Sequence, residues 1–134
     1  IIGANLEIKL RYVMYYGRID TPINKKTAYE MLGPGLTAAR TKLNDLKSEG
    51  LRFFIKTNSQ KKDDQLNNAF IIYQSIVDQW RYKDYQAVRE FVNEAGYKKV
   101  AELLNVNPTT AWRKKKSLKI KEYFAIKKLI MSLI

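Results

Sequence analysis

Tyr97–Lys116, YKKVAELLNVNPTTAWRKKK, is the stretch on which the reading of the chain turns. Lys98 to Leu104 is a run of good helix formers in which Val100, Ala101, Leu103 and Leu104 make an apolar stripe. Ala101 is small, as a helix needs where a second helix crosses it closely. Asn105 breaks the run, because asparagine tolerates the left-handed conformation that follows a helix end. Val106 is expected to plug the turn into the core. Asn107 and Pro108 then restart a helix, one as a capping side chain and the other as a first-turn residue whose missing N–H costs nothing. The second helix, TTAWRKKK, is short, polar and basic. The pattern predicts a helix-turn-helix over 97–116 with its second helix turned toward nucleic acid. A plain helical hairpin is the alternative. After Ala111 the expected aliphatic residue is replaced by Lys114 and Lys115, so either their stems or Leu118 must fill the gap.

The charge supports the first reading. The chain has 134 residues, 25 Lys and Arg against 13 Asp and Glu, and a net charge of +12. From Tyr97 onward ten basic residues stand against two acids, so two-thirds of the excess falls in the last 38 residues. Charge gathered in this way is the footprint of a phosphate-backbone binder. Cysteine and histidine are both absent, which removes disulfides, Cys/His zinc sites, thiol nucleophiles and histidine acid–base catalysis. No cofactor and no metal site is expected: Asp20, Glu30 and Asp45 are scattered and form no paired spacing. The cysteine usage fits a cytoplasmic protein, and no stretch is long and apolar enough to span a bilayer.

Outward from the motif, Tyr85, Val88, Phe91, Val92 and Ala95 predict a helix ending at Gly96, the first of the three that the motif needs. Before it, Leu66, Ala69, Phe70, Tyr73, Ile76, Val77 and Trp80 repeat at three and four residues along a long helix capped by Asp64, interrupted at Arg81–Asp84. After the motif, Lys119–Ile134 is an amphipathic helix with Ile120, Tyr123, Phe124, Ile130 and Leu133 apolar; it caps the bundle or pairs with a second copy. Asn58–Asp64, NSQKKDD, is a polar run expected to be a linker or domain boundary.

The N-terminal part has a different texture. Leu6–Tyr16 alternates at first and then loses its alternation, as a strand covered on both faces would. Thr21-Pro22 and Asn24 mark a loop, Lys26–Leu32 a short helical turn, and Gly33-Pro34-Gly35 an interruption. Thr37–Ser48 is a helix with Ala38, Ala39, Leu43 and Leu46 on one side, closed by Gly50; Leu51–Thr57 is a second strand. The whole is an α+β chain: a small mixed α/β part at 1–58 and a mainly helical domain at 64–134.

The order of RYVMYYGRI, the Asn24 loop, GPGLTAARTKL and KKVAELLNVNPTTAWRK resembles the SatD family of bacterial proteins, from about Leu6 to about Tyr123. The resemblance implies a cytoplasmic bacterial protein with a mixed α/β N-terminal part and a C-terminal helix-turn-helix, and carries no activity with it. Family members begin with a further α/β segment, and this chain starts at Ile1, so the resemblance implies a fragment. The α/β part also resembles the second half of class III nucleotide cyclases. Ala38-Ala39-Arg40 matches the arginine end of their phosphate-stabilising helix, whereas Leu36 stands where the asparagine belongs, and the metal-binding aspartates would lie in the absent segment. Arg40 is the candidate for a nucleotide phosphate, set against a surface or ion-pair arginine.

The leading expectation is a DNA-binding transcriptional regulator and not an enzyme. Thr109, Trp112 and Arg113 are the candidates for base reading: arginine bonds guanine bidentately and threonine meets a thymine methyl. Trp112 either stacks on DNA or tucks into its own domain. Lys98, Lys99, Lys116 and Lys119 are the candidates for phosphates. A nucleotide-sensing, degenerate cyclase-like domain with a basic helical tail is the alternative. A homodimer through Leu66–Trp80 or the terminal helix is compatible with the first reading, since a single helix-turn-helix reads few base pairs.

Overall fold

A computed structural model describes residues 9–27 and 31–134 of the chain. The order is β1 (Tyr12–Tyr15), α1 (Pro34–Glu49), β2 (Phe53–Lys56), α2 (Gln60–Val77), a 3₁₀ turn (Tyr82–Asp84), α3 (Tyr85–Val92), α4 (Tyr97–Leu104), α5 (Pro108–Ser117) and α6 (Ile120–Leu133). The fold is therefore α+β and mainly helical, as the sequence implies. It divides into two units, one over Leu10–Ile71 and the other centred on Ile72–Ser132, with the division inside α2.

In the first unit β1 and β2 pair in parallel, Tyr12 opposite Phe53 and Tyr15 opposite Lys56, with α1 as the crossover packed on both strands. The Phe53 ring stacks between Tyr12 at 5.7 Å and Phe70 at 5.0 Å. The far edge of β2 is closed by side chains of α2. Asn67 accepts from the Ile55 N–H and donates to the Ile55 carbonyl, both at 2.8 Å, as a neighbouring strand would. Asp63 accepts from the Thr57 N–H and hydroxyl and pairs with Lys56 at 2.9 Å. Burial alone would raise the Asp63 carboxyl; the Thr57 and Lys56 hydrogen bonds outweigh it and hold the group below the usual carboxylate range.

The loop leaving β1 meets the start of α1 backbone to backbone. A Cβ on Gly35 would lie 2.7 Å from the Gly17 carbonyl carbon and 2.9 Å from its Cα. No side chain fits there. Gly35→Ala is expected to destabilise the chain by about 1–3 kcal/mol, the cost of an overpacked contact, read as a lower midpoint in urea with an unchanged slope.

Several expectations need correction. The polar run 58–64 is no linker, because α2 already starts at Gln60. Ser59, not Asp64, occupies the cap: its carbonyl takes the Asp63 N–H and its hydroxyl takes the Lys62 N–H. Pro34 opens α1 instead of interrupting it, in keeping with its preset φ. β1 is not covered on both faces, since Met14 and Tyr16 are largely exposed. The strand predicted over 6–16 falls partly outside the described residues, as does the helical turn at 26–32, whose residues 28–30 are not described. α3 stops at Val92, before Gly96, because Glu94 turns left-handed and the Ala95 N–H returns to the Glu90 carbonyl. The Asn24 loop holds: its side chain accepts from the N–H of Lys26 and of Thr27.

The α2 seam is spent on the fold. Leu66, Ala69, Tyr73, Ile76 and Trp80 are all buried; Ile71 and Ile72 are the large apolar residues that α2 leaves exposed. In the second unit Trp80, Val88, Phe91, Val100, Ala111, Ile120 and Tyr123 are buried. The Trp80 indole N–H donates to the Leu118 carbonyl at 2.9 Å, and its ring lies 5.3 Å from that of Tyr123. Among the described residues no helix is long and apolar enough to cross a membrane.

Candidate nucleic-acid interface

The turn between α4 and α5 is built as its residues demand. Asn105 is left-handed at φ 52, ψ 49; its N–H bonds the Glu102 carbonyl, and the Val106 N–H bonds the Ala101 carbonyl at 3.0 Å. This paired closure is a Schellman turn. The Asn107 side chain accepts from the Thr109 N–H at 2.9 Å, and Pro108 opens α5. Ala101 and Ala111 are buried, and α4 and α5 pack closely. Two details differ from expectation. Val106 is 38% exposed and does not plug the core, because its backbone N–H, and not its side chain, ties down the turn. Leu103 likewise points outward, leaving Val100 and Ala101 as the buried part of the α4 stripe.

α5 is amphipathic in an unusual way. Ala111, Lys114, Lys115 and Leu118, at the helical spacing of one face, turn inward. Ala111 and Leu118 are buried and the two lysines half-buried. Lys114 reaches Asp84 at 2.7 Å, and the Lys115 ammonium sits 5.7 Å from the Phe91 ring centroid. Both ways of filling the gap after Ala111 are thus in use, the lysine stems and Leu118 together. Two of the four basic residues of α5 therefore belong to the scaffold rather than to a ligand surface.

The opposite face is open. Thr109, Trp112, Arg113 and Lys116 stand at i, i+3, i+4 and i+7, so they share one side of the helix, and all four are exposed. Trp112 takes an intermediate course between the two expected of it. It is 42% exposed, and the Lys116 ammonium lies 3.9 Å from its ring centroid. Lys98 and Lys99 are exposed in the first turn of α4, which carries no acid. Lys119, also exposed, is the N-cap of α6 and is held left-handed at φ 54. Arg40 lies elsewhere, exposed on α1 in the first unit. Among the described residues no group of His, Cys, Asp or Glu is placed to hold a metal ion.

Asp84 was not foreseen. It is 8% exposed in the 3₁₀ turn before α3 and anchors α5 through Lys114. Its burial acts to raise the carboxyl, but the Lys114 hydrogen bond and charge prevail and hold it below its ordinary value of 3.8. In the unfolded chain the carboxyl takes up its proton at higher pH than in the folded one. The stability it contributes is full at neutral pH and is lost as acid takes the pH through 3.8 and then the lower folded value. Asp84→Asn is expected to cost about 1–3 kcal/mol at pH 7 and to flatten the loss of stability below about pH 5, measured by urea unfolding across pH. Nothing near Asp84 in the sequence signals this pair, since its partner stands thirty residues away.

The fold and site together define a helix-turn-helix unit whose second helix shows a basic outer face. No family model, no curated protein and no solved structure matches the chain.

Proposed function

We propose that the chain is a cytoplasmic DNA-binding protein, a transcriptional regulator that reads a duplex with α5. The observation that carries this reading is the single exposed face of Thr109, Trp112, Arg113 and Lys116, opposite the face that packs. A helix so placed in the major groove offers Arg113 to guanine and Thr109 to a base or a thymine methyl, with Trp112 against sugar or methyl. Lys98, Lys99, Lys116 and Lys119 set register on phosphates. The resemblance to the SatD family, with its C-terminal helix-turn-helix, agrees with this reading. Because one such unit spans few base pairs, a homodimer fits the function, through the terminal helix or what α2 leaves exposed, and sedimentation velocity measures it.

The test is fluorescence anisotropy of a labelled duplex pool at several salt concentrations. Four phosphate contacts predict that log affinity falls with log salt at a slope of roughly −4. Arg113→Ala is expected to cost about 1–3 kcal/mol and to alter the sequences selected from the pool. Binding indifferent to both salt and Arg113 would end the proposal.

A further inference from the structure

We infer that a cleft beside α5 binds a planar aromatic anion of mononucleotide size. The cleft is about 1030 Å³, at the upper end of the volumes that hold small molecules. Tyr97 and Trp112 contribute aromatic rings, and Ile120 and Phe124 form its buried or half-buried apolar part. Around them stand Lys116, Lys121 and Lys128 with one carboxylate, Glu122. Among the described residues none of these three ammoniums has a carboxylate within ion-pair distance, although Lys114, which shares α5 with Lys116, does. A smaller hollow of about 250 Å³, with the Glu94 carboxylate in its wall, shares Lys115, Phe124 and Lys128 and extends the same surface toward Phe91.

Each half of this lining selects one half of the ligand. Lysines outnumber the one carboxylate in this lining, and that excess of positive charge attracts an anion. Half-exposed rings at its wall favour a flat π surface, which stacks without regard to its exact identity. Lys116 takes part of the Trp112 ring at 3.9 Å, so its ammonium stands beside whatever stacks there and is placed to meet an attached phosphate. A duplex is a convex ligand and does not fill such a concavity. Trp112 and Lys116 belong both to the cleft and to the outward face of α5. A bound nucleotide and a bound duplex therefore exclude each other, a consequence that rests on the DNA-reading proposal above.

The test is isothermal titration of the intact chain with adenosine 5′-monophosphate, with adenosine and inorganic phosphate as the ring and the charge alone. Saturable one-to-one binding is expected, with adenosine and phosphate each at least about tenfold weaker. Lys121→Gln with Lys128→Gln, outside the proposed duplex contacts, is expected to weaken the nucleotide about tenfold at an unchanged circular dichroism spectrum. No saturation below about 10 mM, adenosine equal to its phosphate, or an unaffected double variant would overturn the site. Displacement of a labelled duplex by the nucleotide supports mutual exclusion, and simultaneous binding overturns it. A chain that binds the nucleotide but no duplex supports the cleft and refutes the DNA reading alone.

Discussion

Arg113→Glu combined with Lys116→Glu is expected to weaken duplex binding by at least about a hundredfold while leaving stability within about 0.5 kcal/mol of the parent. A bidentate arginine at a base edge contributes about 1–3 kcal/mol, and each 1.4 kcal/mol is tenfold in affinity. Losing a phosphate contact and placing two carboxylates against the backbone adds to that. Stability is spared because both side chains are exposed and neither has a carboxylate partner among the described residues. Their neighbours predict the reverse. Lys114→Gln removes the partner of the buried Asp84 and is expected to cost about 1–3 kcal/mol of folding free energy, with little loss of duplex affinity in the folded protein. Four consecutive basic residues thus divide by helix face into two that point outward and two that hold the helix. Anisotropy and urea unfolding on the same variants separate the two effects. Equal losses of affinity on both faces would contradict the division.

Trp80→Ala is expected to carry the largest stability cost, about 3–5 kcal/mol, a large part of what holds a domain of this size together. The side chain is 4% exposed, packs against the Tyr123 ring and donates its indole N–H to the Leu118 carbonyl. Truncation leaves a cavity and an unsatisfied carbonyl together. Leu118 is the C-cap of α5, so the bond also ties down the end of that helix. Trp80→Phe keeps most of the packing and loses the bond, for an expected cost of about 1–2 kcal/mol. A thermal melt is the measurement; the alanine variant should melt at least about 10 °C lower. If Trp80→Phe cost as much as Trp80→Ala, the hydrogen bond rather than the packing would dominate.

What was legible in the sequence was what depends on residues close together in it. Asn105, Asn107 and Pro108 each carry their own backbone preference, so the turn could be read letter by letter. The seam from Leu66 to Trp80 repeats with the helical period, and its five best-packed members are buried. What composition hides is a partner outside the stretch being read. Asn58–Asp64 looks like a linker by composition, yet Asp63 folds back on Thr57 and Lys56 and becomes one of the more buried acids. The gap after Ala111 announces that Lys114 and Lys115 lie along the packed side, but not that Asp84 and Phe91 are what they meet there. The cleft was illegible for the same reason, since Tyr97, Trp112 and Lys121 meet only once three helices are in place. The charge count hinted at it, because Lys121 and Lys128 belong to the excess that the turn region alone does not use.

The proposed DNA reading requires the outward face of α5 to touch a duplex. Amide and indole nuclear magnetic resonance shifts, followed while a duplex pool is titrated into the labelled chain, test it most directly. The Trp112 indole and the amides of Thr109, Arg113 and Lys116 should move most, while the Trp80 indole, held by Leu118, stays in place. Shifts confined to the β1 and β2 strands, or a Trp112 signal unmoved at saturation, would contradict it.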